Sequence, residues 1–203
     1  MESWCQDIEV AEGSMLPMRL GYADPPYLNQ AQRHYKNDPS GIVAAEVDHW
    51  ELVDRLLRDF DGWALSCSAP SLRVIDIIVH GPDPEVDLHP EVRTAVWVKP
   101  WCSWKPSHRV QYTYEPVVFK PVRTKGHRGV ASTRDHFVGN ITMKKGTHGA
   151  KPDAFNDWVL NLIGYQDGDS MSDLYPGTGG MTAAVERWTP VAPNKKPKVK
   201  KSD

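Results

Sequence analysis

The segment Asp24, Pro25, Pro26 and Tyr27 combines a carboxylate, two rigid residues and an aromatic ring directly after an apolar run over residues 18–23. Such a run is typical of a core strand, which delivers the residue that follows it into a cleft. The two prolines restrict the backbone and direct the Pro25 carbonyl into the same space. A carboxylate and a carbonyl held side by side can accept the hydrogens of an amino group. The alternative interpretation is a double-proline turn without a chemical role.

A second candidate segment lies near the other end of the chain. Residues 169–175 lead into Pro176, Gly177, Thr178, Gly179 and Gly180, and an alanine-rich stretch follows to Trp188. This order predicts a strand, a glycine turn and a helix. Glycines let the backbone approach a ligand closely, and the helix N-terminus offers unpaired N–H groups to a polar cofactor. A Gly-x-Gly pattern alone is more often only a turn.

A third segment, Lys151-Pro152, opens a predicted helix. The apolar residues that follow recur at helical spacing, and Pro is favoured at the first helical positions. They are Phe155, Trp158, Val159, Leu162 and Ile163.

Together these segments resemble the S-adenosylmethionine-dependent amino-methyltransferases, which methylate an exocyclic nitrogen of a base. The order of the motifs resembles the permuted, beta-class type of DNA adenine-N6 methyltransferase found in phages and bacteria. It also resembles the messenger-RNA adenosine methyltransferases, which usually carry Trp where this chain has Tyr27. Residues 97–100 and 114–118 are similar to further segments of the bacterial enzymes. The resemblance covers about residues 18–190.

The resemblance implies methyl transfer from S-adenosylmethionine to the N6 of an adenine flipped out of DNA, as in restriction-modification systems. Asp24 and the Pro25 carbonyl would hold the N6 hydrogens, and Tyr27 would stack on the base. The implied catalytic residues are Asp24, Pro25, Pro26 and Tyr27. The implied cofactor-binding residues are Ala23, Asp24, Lys151, Asp173, Pro176, Gly177, Thr178 and Gly179. One departure is that no strand-end acid for the cofactor ribose follows the glycine turn, unless Glu186 replaces it.

The charge distribution favours a nucleic-acid partner. The net charge is -2, yet residues 120–151 contain eight basic residues and one acid. Such segregation is typical of a phosphate-contacting surface, although a solvated loop would show it too. The candidate DNA-contacting residues are Lys120, Arg123, Lys125, Arg128, Arg134, Lys144 and Lys145.

Apolar residues at helical spacing predict a helix over residues 46–60, and Ser68 and Pro70 predict the start of another that runs to about residue 79. Alternating helical and strand patterns predict a Rossmann-like, doubly wound α/β fold with a predominantly parallel sheet and permuted motifs. We expect an N-terminal extension over residues 1–17, a methyltransferase domain over residues 18–190 and a disordered basic tail over residues 191–203. In such a sheet Asp24 and Asp173 would emerge at the same carboxyl edge.

Composition limits the remaining classes. We expect a soluble, cytoplasmic protein of a bacterial host cell, because the sequence contains no apolar run long enough to span a membrane and no signal peptide. Three cysteines without close pairing and scattered histidines predict no metal site. Small size is compatible with a homodimer.

Three alternatives stay open at this stage. Cytosine N4 is a rival target, although Ser is more usual there at the position of Asp24. RNA adenosine is another. A protein of a different class, a non-catalytic nucleic-acid-binding partner that retains the fold, is the third.

Overall fold

The structure, a computed structural model, describes residues 16–26, 47–83, 85–101, 106–123, 132–142 and 150–190. Within these ranges one sheet of six strands is covered by four helices. The strands are β1 (Arg19–Ala23), β2 (Gly62–Ser66), β3 (Arg93–Val98), β4 (Tyr114–Lys120), β5 (His136–Val138) and β6 (Ser170–Asp173). The helices are α1 (His49–Asp59), α2 (Ala69–His80), α3 (Asp153–Ile163) and α4 (Gly180–Arg187). The predicted extension up to residue 15, Tyr27 and the predicted tail lie outside the described residues.

The sheet is predominantly parallel, as predicted. Its strand order is β5-β3-β4-β2-β1-β6, so the last strand in sequence lies beside the first. Only β4 runs antiparallel to its neighbours, β2 and β3. Residues 99–113 join β3 to β4, and the described part of this connection contains no helix, whereas the crossover between parallel strands is usually helical.

Helices cover both faces of the sheet, which confirms the doubly wound arrangement. On one face α1 and α2 pack over Trp63, Leu65 and Val118. On the other face α3 and α4 pack over Leu20 and Phe119 and their neighbours. The core is therefore two apolar layers separated by the sheet.

Local sequence signals account for the helix starts. The Asp48 carboxylate accepts hydrogen bonds from the N–H groups of Trp50 and Glu51 and caps α1. Ser68 caps α2, which enters through Pro70. Both helices and the one after Lys151-Pro152 were predicted, whereas the three-residue strand β5 was not.

No helix in the described part of the chain has the length and apolar character needed to cross a membrane. The same residues contain no group of three or more His, Cys, Asp or Glu side chains that could hold a metal ion.

Candidate active site

The two motifs that are distant in sequence meet at one edge of the sheet. Strands β1 and β6 are parallel neighbours, with Tyr22 paired to Asp173. The Leu174 N–H donates to the Tyr22 carbonyl at 2.8 Å, just beyond the end of β6. Asp24 and Asp173 therefore emerge side by side at the carboxyl edge, where open α/β sheets bind their ligands.

Asp24 lies at the mouth of a polar site with an apolar floor. Its side chain is 22% exposed, and Pro25 and Pro26 are buried. The Lys151 ammonium lies 3.1 Å from its Oδ1. Tyr27, predicted to complete the motif, lies outside the described residues.

Lys151 links Asp24 to a second, deeper carboxylate. Its ammonium also bonds Oε1 of Glu115, whose side chain is 5% exposed. The second oxygen of Glu115 accepts from Lys99 at 2.7 Å. Two carboxylates and two ammonium groups thus alternate in the order Asp24, Lys151, Glu115, Lys99, which we call the ion-pair chain.

Aromatic rings enclose the ion-pair chain. The Lys99 ammonium lies 4.5 Å from the centroid of the Trp97 ring, and that of Lys151 lies 5.6 Å from it. The Phe155 ring is 5.7 Å from Lys151. These rings exclude water and attract the ammonium groups by their π faces, so the ion pairs are strengthened.

The environment separates the two carboxylates in acidity. Burial, supported by the charge of Glu115 and opposed by the attraction of Lys151, raises the pKa of Asp24 to about 6. Burial also acts to raise the pKa of Glu115, but Lys151 and Lys99 outweigh it and hold that pKa at about 2. The pKa of Lys151 is raised, because its two carboxylate partners outweigh the effect of burial. Glu115 is therefore a fixed anion, while Asp24 titrates near neutrality.

The groups beneath Asp24 are held neutral. The hydroxyls of Tyr22 and Ser66 lie 3.1 Å apart in a buried hydrogen bond. Burial raises the pKa of Tyr22 well above its ordinary value and that of the Cys67 thiol to about 12. Of Asp24, Tyr22 and Cys67, it is therefore Asp24 that changes charge near pH 6.

The glycine turn after β6 has a backbone that favours glycine. Gly177 and Gly179 have φ angles of 47° and 75°, in the left-handed region. The Gly179 N–H donates to the Pro176 carbonyl at 2.6 Å, and Gly179 is the N-cap of α4. Thr178 is exposed beside them. The turn thus presents backbone groups and a helix N-terminus to the space next to Asp24.

Asp173 stands at the start of this turn. Its Oδ1 accepts from the Tyr175 N–H at 3.2 Å, and burial raises its pKa. A half-buried carboxylate in this position can accept hydrogen bonds from a cofactor that carries N–H or hydroxyl groups.

Sequence reasoning missed Asn156. This residue is 1% exposed, and its Nδ2 has no hydrogen-bond partner among the described residues. A Cβ added to Gly180 would lie 2.8 Å from Nδ2, so the amide points at the first residue of α4. The available signal was a polar residue on the apolar face of α3, since Asn156 precedes Val159 and Ile163 by three and seven positions.

The structure does not place Lys120 and Arg123 beside Asp24. Lys120 ends β4, and Arg123 follows it. Because β4 runs antiparallel to β2, both lie at the opposite, amino edge of the sheet. Lys120 is 3.6 Å from Glu91. Arg123 forms a buried ion pair with Asp169 at 2.6 Å and donates to the Gly164 carbonyl at 2.7 Å. Arg123 thus fastens the end of α3 to the start of β6.

Of the remaining candidate DNA-contacting residues, the structure describes Arg134. Arg134 is exposed, and its carbonyl accepts from the Trp158 indole at 2.9 Å. Lys125, Arg128, Lys144 and Lys145 lie outside the described residues.

Comparison with known proteins finds similarity among solved structures. No family model matches the chain, and no curated protein matches it. Among solved structures it is similar to that described as the crystal structure of the M1.HpyAVI–SAM complex, with 15% sequence identity and a TM-score of 0.46. The match covers 84% of this chain and 78% of that one.

Proposed function

We propose that this chain transfers a methyl group from S-adenosylmethionine to the exocyclic N6 of adenine in DNA. The observation that carries the proposal is the position of Asp24. It stands beside the glycine turn, mostly buried, with a pKa of about 6 and a lysine on one of its two oxygens. A carboxylate so placed can take hydrogens from a substrate amino group next to a cofactor site.

The chemistry explains why a carboxylate and a carbonyl are needed. The N6 lone pair of adenine is delocalised into the ring, so the free amino group is a poor nucleophile. Lys151 occupies Oδ1 of Asp24, and we assign the other oxygen and the Pro25 carbonyl to the two N6 hydrogens. Holding both hydrogens favours a tetrahedral nitrogen whose lone pair is available for attack. Tyr27 would stack on the base.

The cofactor supplies an electrophilic methyl group on a sulfonium centre. When bound, it would supply that methyl group to N6, and Asp24 would accept the proton that N6 releases. Much of the acceleration would come from alignment of the two reactants. A pKa of about 6 suits Asp24 to this role, since near pH 7 it is ionised and can still accept a proton.

The residues around the glycine turn fit such a cofactor. The free N–H groups of α4 and the unpartnered Asn156 amide, considered among the described residues, suit a carboxylate. Asp173 suits hydroxyl or amino groups. Ala23, Pro176, Gly177, Thr178 and Gly179 would line the path between them. We assign Lys151 to keeping Asp24 ionised and oriented, at the border of the two sites.

A direct assay tests the proposal. Purified protein is incubated with radiolabelled S-adenosylmethionine and unmethylated duplex DNA, single-stranded DNA or RNA, and the products are digested to nucleosides. We expect the natural protein to produce N6-methyladenine in DNA and the Asp24→Asn variant to produce none. Cytosine-N4 or RNA products would move the assignment to those targets. If no nucleic acid is labelled while DNA still binds, the chain is a non-catalytic binding protein.

A further inference from the structure

The hairpin that joins β3 and β4 projects from the edge of the sheet that carries Asp24. Residues 99–101 and 106–113 of this connection are described. Its base is closed by the Lys99 N–H, which donates to the Thr113 carbonyl at 2.7 Å. Because β3 runs parallel to β1, the C-terminal end of β3 and the start of the hairpin lie at the carboxyl edge.

The hairpin exposes aromatic side chains that the sequence alone could not separate from core residues. Trp101, Tyr112 and Tyr114 are 46%, 55% and 45% exposed. Trp97, four residues before Trp101, is 2% exposed and donates its indole N–H to the Gly139 carbonyl. One tryptophan is therefore part of the core, and the other presents its ring to solvent.

The charge of the hairpin has one sign. Residues 99–113 contain three basic residues and no acid. Arg109 is exposed between the aromatic residues, and the His108 ring lies 6.3 Å from the Tyr112 ring in an edge contact. Exposed aromatic rings next to basic side chains suit unpaired nucleotides. The nucleobases can stack on the rings, and the phosphates attract the basic side chains.

The hairpin is also continuous with the candidate active site. Lys99 and Glu115 flank its base and are the two members of the ion-pair chain farthest along it from Asp24. A single DNA strand bound along the hairpin would therefore pass the position assigned to the target base.

We infer that Trp101, Tyr112, Tyr114 and Arg109 form the surface that holds the unpaired nucleotides next to the target adenine in DNA. The identity of the target rests on the proposed function, whereas binding of unpaired nucleotides does not. The surface is distinct from Lys120 and Arg123 of the basic segment, which lie at the opposite edge of the sheet. It would stabilise a locally opened duplex, in which bases beside the extruded one have lost their stacking partners.

Binding of a fluorescently labelled single-stranded DNA, measured by anisotropy, tests the inference. Removing one stacking side chain costs about 1–3 kcal/mol per base, which is about 5- to 150-fold in affinity, so Trp101→Ala with Tyr112→Ala should weaken binding about 30-fold or more. The ring-preserving pair Trp101→Phe and Tyr112→Phe should retain most of the affinity. Leu88→Ala is a matched control, because Leu88 is 57% exposed and lies on the connection at the opposite edge. It should leave binding unchanged.

Salt dependence separates the two kinds of contact. Arg109→Ala should reduce the slope of log affinity against log salt by about 0.7 for a single strand, whereas the aromatic variants should leave the slope unchanged. Thermal midpoints and binding of S-adenosylmethionine should be the same in all variants, because the substituted side chains are exposed.

Several results would overturn the inference. One is a dissociation constant for DNA that is the same in the alanine pair as in the natural protein. Another is the absence of single-strand binding at low salt, with a self-association that the alanine pair abolishes, which would make the hairpin a protein interface. If the alanine pair lost affinity for an RNA of the same sequence but kept its affinity for DNA, the DNA assignment would be contradicted. The proposed function fails separately, if the hairpin binds DNA as expected but the protein methylates none.

Discussion

Lys151 places its ammonium 3.1 Å from Oδ1 of Asp24 and binds Glu115 with the same group. One cation thus joins the partly exposed carboxylate of Asp24 to the buried carboxylate of Glu115. Since Lys99 supplies the second cation, the ion-pair chain is neutral when all four groups are charged. Protonation of Asp24 alone makes it positive, and this single step determines the pH behaviour of the site.

The first prediction concerns the pH dependence of methyl transfer. The Asp24 carboxylate must be ionised to accept an N6 hydrogen, and burial raises its pKa to about 6. The single-turnover rate should therefore be low at pH 5 and should rise about tenfold per pH unit until it levels off above pH 6. Rapid-quench measurements with saturating DNA and cofactor check this. A rate that is flat between pH 5 and 7 would contradict the role of Asp24.

The second prediction concerns stability. The pKa of Asp24 in the folded chain, about 6, exceeds the ordinary aspartate value of 3.8, so folding favours the protonated form. Stability is therefore lost as pH rises from about 4 through 6, and the ionised group costs up to about 3 kcal/mol above pH 6. Asp24→Asn should be more stable than the natural protein at pH 8 and about equal to it at pH 4. Urea unfolding at both pH values measures the difference, and Asp54→Asn on the exposed face of α1 is the control.

The third prediction concerns Glu115. Its negative charge raises the pKa of Asp24, so Glu115→Gln should shift the rising limb of the pH–rate profile below pH 6. The same variant leaves two buried ammonium groups without their shared partner and should lower the free energy of unfolding by about 3 kcal/mol or more. Because burial and two lysines together give Glu115 a pKa of about 2, this stabilisation is present above pH 4.5 and is lost as pH falls towards 2.

Lys99→Met is the matched control for Glu115→Gln. It removes the outer ammonium group, which is 17% exposed, and leaves Lys151 between the two carboxylates. We expect Lys99→Met to lower stability while the rising limb of the pH–rate profile stays near pH 6. Equal shifts of the limb in both variants would show that general destabilisation, and not the charge of Glu115, moves it.

The sequence predicted the architecture because its signals were local and repeated. The apolar spacing in α1, the Ser68 cap and the strand before Asp24 each indicated their element correctly, and alternation indicated a parallel sheet. The reversed direction of β4 was not predicted, since strand composition carries no direction. The decisive feature was the connection over residues 99–113, whose described part contains no helix.

The site was only half accessible to sequence reasoning. Asp24, Lys151 and the glycine turn have recognisable neighbours, so the resemblance indicated them. The joining of Lys99, Glu115 and Lys151 depends on which strands pair, and no spacing encodes it. The ion pair of Arg123 was equally inaccessible, because a basic residue in a basic segment gives no sign of a partner as far along the chain as Asp169.

The fourth prediction concerns Asn156. Its Nδ2 is buried with no partner among the described residues, which costs about 1–3 kcal/mol unless a ligand accepts from it. Asn156→Leu should therefore leave the stability of the cofactor-free protein unchanged or raise it, while affinity for S-adenosylmethionine falls about tenfold. Calorimetric titration and thermal unfolding give the two quantities. A merely structural role would lower stability without changing affinity.

The fifth prediction separates a structural from a DNA-binding role for the basic segment. Arg123 and Asp169 have side chains that are 9% and 1% exposed, and their ion pair lies at the amino edge of the sheet. Arg123→Met should lower the free energy of unfolding by about 3–5 kcal/mol, because the Asp169 carboxylate stays buried without its cation. The exposed Arg134 provides the comparison, and Arg134→Met should leave stability within about 0.5 kcal/mol. Measured below the melting temperature of each variant, the DNA affinity of Arg123→Met should match that of the natural protein. A selective loss of DNA binding in a fully folded Arg123→Met variant would instead restore this residue to the DNA-contacting surface.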